Sequence, residues 1–222
     1  MNFLAHCALS VSRSGVPENP QFVVGGFLGD FVKGAVPSEL PRDVQTGIRL
    51  HRRIDAFSAI QDDIKASVAR LPAPARRLAP VFIDLVADHF LARHFEAVHG
   101  EPLAAFSSRI YAVLEQHESL FPVNAVRFSR FMRDRDLLGR YVDIDPIERA
   151  FRRIAERLGR EEAVHESMAA LRDGYREFED DFLRYYPALQ AHASDWLTAW
   201  LAADQDSSVI AAPRSRVTPD PE

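Results

Sequence analysis

The sequence predicts an all-α fold, a single-domain helical bundle, and three observations indicate it. Apolar residues recur at helical spacing along most of the chain. Few stretches alternate apolar and polar residues, as a half-buried strand would. Neither an internal repeat nor a convincing linker divides the chain. We therefore predict one helical domain over residues 1–204, followed by a polar, proline-containing and disordered tail over 205–222.

The helices are expected where turn and breaker residues separate the apolar patterns. A loop over 12–21 is indicated by its Gly, Pro and Asn residues. Pro41 precedes the first long helix, Gly100 ends the second, and Pro187 interrupts the last pattern. The predicted helices span about residues 43–69, 77–99, 102–120, 123–140, 146–159, 163–185 and 188–203.

Composition and charge narrow the class of protein. The chain has 222 residues, 47% hydrophobic and 27% charged, which is typical of a soluble globular protein with a real core. Its formal net charge of -5 gives no indication of nucleic-acid binding. Cys7 is the single cysteine, so no internal disulfide can form and a reducing compartment is expected. No signal peptide is evident, and no apolar run approaches the ~18 residues of a membrane span. We therefore predict a cytoplasmic protein that binds neither membrane nor nucleic acid.

The stretch GIRLHRRID, residues 47–55, places polar side chains on an apolar helical stripe. A helix advances about 100° per residue, so Ile48, His51 and Asp55 share one face. Because Ile48 should face the core, His51 and Asp55 should point inward too, and a buried carboxylate must be paired or bound to a cation. The alternative is an internal hydrogen bond between His51 and Asp55, one helical turn apart.

The stretch DLVADHFLARH, residues 84–94, raises the same question. His89 lies at the centre of an apolar face, and Asp88 is rotated about 100° from it. Adjacent imidazole and carboxylate groups can still converge on one ion, although they can equally form a satisfied polar pair in the core. His94 points away from His89 and is expected to be a surface or packing histidine.

The stretch GGFLGDFVKG, residues 25–34, surrounds Asp30 with four glycines. Glycine allows close backbone approach or a positive φ, but the spacing fits neither the P-loop nor the Rossmann fingerprint. Asp30 is therefore either a metal ligand, with Lys33 nearby for an anion, or the cap of a packing element.

These motifs and His6, which could be a ligand or a core histidine, together suggest a metal site. Mixed imidazole and carboxylate ligands suit Mn²⁺, Fe²⁺ or Zn²⁺, and the carboxylate share favours Mn²⁺ or Mg²⁺. Such an ion would polarise a phosphoryl oxygen and lower the pKa of a bound water, while arginines would hold the phosphate. The candidates on three or four segments are His6, Asp30, His51, Asp55, Asp84, Asp88 and His89.

Four blocks of the sequence, in this order and separation, resemble the acyl carrier protein phosphodiesterase family, also called acyl carrier protein hydrolase. They cover most of the first 95 residues, and the second half is similar mainly in its helical pattern and in the late segment FEDDFLRYYP. The four blocks are MNFLAH at 1–6, LGDFVKG at 28–34, GIRLHRRID at 47–55 and APVFIDLVADHFLARHF at 79–95.

The resemblance implies a fold, a reaction and a metal. The family looks like a distorted relative of the HD-domain metal-dependent phosphohydrolases. Its members use a divalent cation, typically Mn²⁺, to hydrolyse the phosphodiester between 4′-phosphopantetheine and a serine of holo-acyl carrier protein, by metal-activated water. Mg²⁺, Fe²⁺ or Zn²⁺ is possible in place of Mn²⁺.

The expected site residues follow from the residues and the resemblance together. Activity in the family depends on the Asp that matches Asp30. The matching pair here reads Asp-His, whereas the usual HD order is His-Asp. The expected metal ligands are His6, Asp30, His51, Asp88 and His89. The expected catalytic residues are Asp30, Asp55, Arg52 and Arg53.

The partner implied is holo-acyl carrier protein, an acidic protein substrate, which calls for a basic docking surface. Two other functions stay open: an HD-type metal phosphohydrolase acting on a nucleotide or another small phosphodiester, and a non-enzymatic helical binding protein with structural polar pairs. A small nucleotide would not need arginines spread along an exterior face. The candidate docking clusters are Arg42, Arg49, Arg52 and Arg53; Arg76, Arg77 and Arg93; and the stretch RFSRFMRDRD at 127–136.

Overall fold

The computed structural model describes residues 2–11 and 19–210, with side chains to Ala203. These residues form ten α-helices and three short 3₁₀ turns and include no strand, which confirms the all-α prediction. The helices are α1 (Phe3–Ser10), α2 (Pro20–Leu28), α3 (Arg42–Ser58), α4 (Asp62–Arg70), α5 (Ala79–His99), α6 (Leu103–Gln116), α7 (Val123–Asp134), α8 (Ile144–Arg157), α9 (Glu162–Asp173) and α10 (Tyr175–Ile210). The 3₁₀ turns are Ala75–Leu78, Glu118–Leu120 and Gly139–Val142.

The helix predicted over 43–69 is two helices, because α3 ends at Ser58 and α4 begins at Asp62. The last turn of α3 tightens into bonds that span three residues, from the Ile60 N–H to the Phe57 carbonyl and from the Gln61 N–H to the Ser58 carbonyl. Two acidic residues then open the first turn of α4, where carboxylates favour a helix start.

The C-terminal helices also divide differently from the prediction. Gly174 separates α9 from α10, and α10 continues through Pro187 instead of being interrupted there. Pro187 is exposed, and buried Tyr186 and Leu189 on either side of it hold the helix against the core. The helical backbone reaches Ile210, so it includes the first six residues of the predicted tail; residues 211–222 lie outside those described.

The N-terminal loop prediction is tested only at its end. Residues 12–18 lie outside those described, and α2 begins at Pro20, within the predicted loop 12–21. The side chain of Asn19 caps α2 by accepting from the Gln21 N–H, and Pro20 occupies the first turn, where its missing N–H costs nothing.

The centre of the bundle is α5. Twelve of its 21 residues are buried, and it contacts α1, α4, α6, α8 and α10. Polar side chains on this helix therefore face other helices on nearly every side. Among the described residues, no helix combines the length and the apolar character that crossing a membrane requires.

Helices α2 and α3 pack with their backbones in contact, and this closeness positions the candidate site. A Cβ on Gly25 would lie 2.3 Å from the Val44 carbonyl oxygen, and one on Gly47 would lie 2.3 Å from the Phe22 carbonyl oxygen. Only glycine fits at either position. The glycines before Asp30 thus serve helix packing and bring the end of α2 beside the middle of α3.

Candidate metal centre

Three side chains from two helices converge on one point. His6 lies on α1, and His51 and Asp55 lie one turn apart on α3. The His6 Nε2 is 3.1 Å from Asp55 Oδ1, and the His51 Nε2 is 3.3 Å from Asp55 Oδ2. The two imidazole rings are stacked, with centroids 3.6 Å apart. Within the described parts of the chain, no other group of three or more such side chains comes as close, and in this one the ligand atoms lie within 4.8 Å of one another.

A contact with α2 determines which ring nitrogen of His51 carries a hydrogen. Its Nδ1 lies 2.8 Å from the Gly26 carbonyl oxygen, which can only accept, so Nδ1 carries a hydrogen. With that hydrogen on Nδ1, Nε2 is the ring nitrogen that faces the Asp55 carboxylate and the one that could bind a cation. A metal-binding imidazole is commonly oriented by such a bond to a backbone carbonyl.

The electrostatics of the three side chains also fit a metal. Burial, with a further contribution from His51, lowers the pKa of His6 to about 3, so its ring is neutral near pH 7. Burial raises the pKa of Asp55, but its interactions with His51 and His6 outweigh that effect and hold its pKa well below its usual range. A neutral imidazole such as that of His6 and an ionised carboxylate such as that of Asp55 are ligands for a divalent transition-metal ion.

Asp30 lies at the edge of this group. It follows α2, and its Oδ1 is 3.9 Å from the His51 Nε2. Its side chain is 40% exposed. Partial burial is the largest influence on its pKa and raises it, the Asp55 charge adds to this, and His51 and Lys33 oppose it. Asp30 is therefore a more basic carboxylate than a free aspartate, beside the three converging side chains.

Asp88 was expected to be a ligand, but the structure places it elsewhere. It is fully buried and accepts hydrogen bonds from the Leu4 N–H at 2.8 Å and the Ala5 N–H at 3.0 Å. Both oxygens thus cap the N-terminus of α1, whose first N–H groups have no partner within the helix. Burial outweighs these bonds and raises the pKa of Asp88 to about 7. Its role in the structure is to anchor α1, and it does not join the three converging side chains.

His89 is also apart from that group. Its Nδ1 donates to the Tyr141 carbonyl oxygen at 2.8 Å, which leaves Nε2 to accept from the Tyr175 hydroxyl at 2.7 Å. Both ring nitrogens are therefore occupied by protein groups. The structure supports the alternative interpretation of Asp88 and His89 as polar core groups with satisfied hydrogen bonds. His94 has the expected packing role, because it is bonded to Glu179 at 2.7 Å.

The two arginines expected to act at the site differ from each other. The Arg52 Nη2 donates to the Val32 carbonyl oxygen at 2.9 Å, so this side chain braces the segment that follows Asp30. Arg53 is exposed, and its charge lowers the pKa of His192 on α10, although burial of His192 is the larger cause.

The sequence patterns contained part of this geometry. The spacing of His51 and Asp55 predicted one shared face, as observed, but only His51 is buried, and the Asp55 side chain is 47% exposed. Asp55 was also assigned to catalysis and not to the ligands. The stacking of His6 on His51 has no signal in local sequence, because the two residues lie on different helices.

Comparison with known proteins adds independent evidence. Residues 1–189 match the family described as acyl carrier protein phosphodiesterase. A relative from Salmonella paratyphi A with that name is 32% identical over 195 residues, which cover 87% of this chain and 98% of the relative. One from Escherichia coli O157:H7, also named acyl carrier protein phosphodiesterase, is 32% identical over 199 residues, with the same coverage. No solved structure matches, so the likeness to HD-domain phosphohydrolases stays a prediction.

Proposed function

Because the chain belongs to the acyl carrier protein phosphodiesterase family, we propose that it hydrolyses the phosphodiester that links 4′-phosphopantetheine to a serine of holo-acyl carrier protein. The products are apo-acyl carrier protein and 4′-phosphopantetheine. The observation that carries the chemistry is the convergence of His6, His51 and Asp55 beside Asp30.

We further propose that His6 and His51, through Nε2, and the Asp55 carboxylate hold a divalent ion. The family resemblance favours Mn²⁺, and two imidazoles with one carboxylate also suit Fe²⁺ or Zn²⁺, with Mg²⁺ as a further alternative. When bound, the ion supplies Lewis acidity that polarises the phosphoryl oxygens and lowers the pKa of water.

The protein groups around this position have separate tasks in the proposed reaction. Asp55 is engaged by two imidazoles, so Asp30 is the better base for the attacking water. As the water oxygen bonds to phosphorus, its proton passes to Asp30, and the bond from phosphorus to the serine oxygen breaks with its electron pair on that oxygen. The proton then held by Asp30 neutralises the serine. Exposed Lys33 and Arg53 are the cations proposed to meet the phosphate charge.

Intact mass spectrometry of holo-acyl carrier protein tests the proposal. The purified protein is incubated with the carrier in Mn²⁺ or in EDTA, and we expect loss of the phosphopantetheine mass only with Mn²⁺. The His51→Ala variant should show no loss, whereas His94→Ala, changed in a histidine paired with Glu179, should act as the wild type. Intact carrier under every divalent ion, together with hydrolysis of a small phosphodiester, would instead favour the small-substrate phosphohydrolase.

A further inference from the structure

Helix α7 presents an apolar stripe to solvent. Val123 is 69% exposed and Phe131 is 38% exposed. Arg127 lies midway between Val123 and Phe131 in sequence. Because each of the three residues is four positions from the next, they share one side of the helix. We call this stripe of Val123, Arg127 and Phe131 the α7 face. Together with Asn124 and Phe128 it lines a shallow depression of about 580 Å³.

The α7 face adjoins the candidate metal centre through a cluster of aromatic rings. The Phe128 ring lies 4.6 Å from that of Phe3 and 5.8 Å from that of Phe31, measured between centroids. Phe31 directly follows Asp30, and Phe3 lies one turn before His6 on α1. Phe128 on α7 therefore packs beside the residue that follows Asp30 and beside the helix that carries His6.

The charge on this face is available to a partner. Arg130 is held by Glu118, and Arg133 is held by Glu115. Arg127 is exposed and forms no ion pair with any of the residues that the structure describes. An arginine flanked by exposed apolar side chains suits a partner with carboxylates beside an apolar contact, because arginine and aromatic residues dominate binding energy at interfaces.

We propose that the α7 face is the docking surface for the acidic carrier protein. This inference rests on the proposed function and adds the surface that recognises the protein part of the substrate. Phosphate chemistry at the metal centre needs only the phosphodiester, so a face that includes none of the converging side chains would act on the carrier and not on the bond that breaks. The cation of Arg127 would steer the acidic partner, and the apolar residues would retain it.

Steady-state kinetics on two substrates test the proposal. One is holo-acyl carrier protein, and the other is a short peptide that carries phosphopantetheinyl-serine. We expect Arg127→Glu and Phe131→Ala each to raise KM for the carrier at least tenfold, with kcat and peptide hydrolysis unchanged. Arg127→Lys, which keeps the charge, should retain most of the affinity. Arg160→Glu makes the same charge reversal at an exposed arginine between α8 and α9 and should have no effect.

Direct binding separates this inference from the proposed function. Calorimetric titration with apo-acyl carrier protein, which lacks the phosphodiester, should show weaker binding to Arg127→Glu than to the wild type. Equal carrier KM and equal apo-carrier affinity in both proteins would overturn the docking surface while leaving the hydrolysis intact. A different outcome is a wild-type dimer that the Phe131→Ala change dissociates while the carrier kinetics stay the same. That result would overturn the docking proposal and make a second copy of this chain the occupant of the α7 face. Failure of the wild type to cleave either substrate would count against the proposed function itself.

Discussion

Asp55 lies between two imidazole rings, and this position decides which carboxylate of the site can act as a base. Its two oxygens face His6 and His51, and its pKa is held below its usual range. A carboxylate so stabilised in its charged form is a weak base. Asp30 differs in the direction of its pKa shift, because its pKa is raised, although its side chain is about as exposed as that of Asp55, at 40% against 47%. The proposed roles, with Asp55 as a metal ligand and Asp30 as the base, follow from these two pKa shifts.

Replacing Asp30 by asparagine separates these roles. Because Asp30→Asn removes the base but keeps the shape of the side chain, we expect release of phosphopantetheine to slow by about 10² or more. Mn²⁺ affinity, measured by titration calorimetry, should stay within a few-fold of the wild type. Asp62→Asn, at an exposed aspartate of α4, is the control and should change neither quantity. Wild-type turnover in Asp30→Asn would exclude the base role, and loss of Mn²⁺ binding would make Asp30 a ligand, as the sequence first suggested.

At the scale of the helices, the contact between α2 and α3 determines whether the site can form. Gly26 on α2 supplies the carbonyl that orients His51, and this requires the two backbones to touch. Glycine in a helix interior normally costs about 0.5–1 kcal/mol relative to alanine. At Gly25 and Gly47 the general preference of helices for alanine over glycine does not apply, because there is no room for a Cβ.

Whether a glycine-to-alanine change raises or lowers the free energy of unfolding should therefore depend on its position. Gly47→Ala places a methyl group 2.3 Å from the Phe22 carbonyl oxygen, so we expect it to lower the free energy of unfolding by about 1–3 kcal/mol. Urea denaturation followed by circular dichroism measures this. Gly174→Ala is the matched control, because its Cβ would meet nothing nearer than 3.4 Å, and it should be neutral or stabilising. A stabilised Gly47→Ala protein would contradict the close packing of α2 on α3.

The capping of α1 by Asp88 gives a pH dependence whose sign can be worked out. The pKa of Asp88 is raised to about 7 in the folded protein, from about 3.9 in an unfolded chain. Between these two values the folded protein holds a proton that the unfolded chain has lost. The contribution of Asp88 to stability is therefore fully present below about pH 4 and is lost as the pH rises toward 7.

Comparison with Asp88→Asn isolates this contribution from other titrating groups. We expect the free energy of unfolding of the wild type, relative to Asp88→Asn, to fall between pH 4.5 and pH 7.5, because the asparagine does not titrate. Urea denaturation at several pH values measures the difference. A difference that is constant with pH, or that grows as the pH rises, would show that the cap is ionised throughout this range.

At the scale of the whole molecule, the fold class was predictable and the site only in part. Helical periodicity is a local property, so the all-α prediction needed no knowledge of packing. The shared face of His51 and Asp55 followed from the same periodicity, although only His51 is buried. Asp88 and His89 lie apart from the converging group because α5 is buried on most sides, so a polar residue there has several helices to bond to. The choice among them depends on tertiary packing, which also brings His6 on α1 to the site.

The proposed ion would connect α1 to α3, so its removal should affect the stability of the whole molecule. A ligand that binds only the folded protein stabilises it by about 2.7 kcal/mol at a free concentration one hundred times Kd. For a chain of this size we expect Mn²⁺ to raise Tm by roughly 5–10 °C over EDTA. His6→Ala should lose most of this gain, whatever its own Tm in EDTA, because it removes the ligand that α1 contributes.

His94→Ala should keep the full gain, since His94 is bonded to Glu179 and lies outside the group that would hold the ion. Because each protein is compared with itself in Mn²⁺ and in EDTA, the cavity left by a deleted side chain does not enter the difference. Differential scanning calorimetry measures all three proteins, and repeating the series with Mg²⁺, Fe²⁺ and Zn²⁺ ranks the ions. An equal gain in His6→Ala and the wild type would mean that the ion binds without α1, and the stacked imidazoles would then be a structural contact between helices.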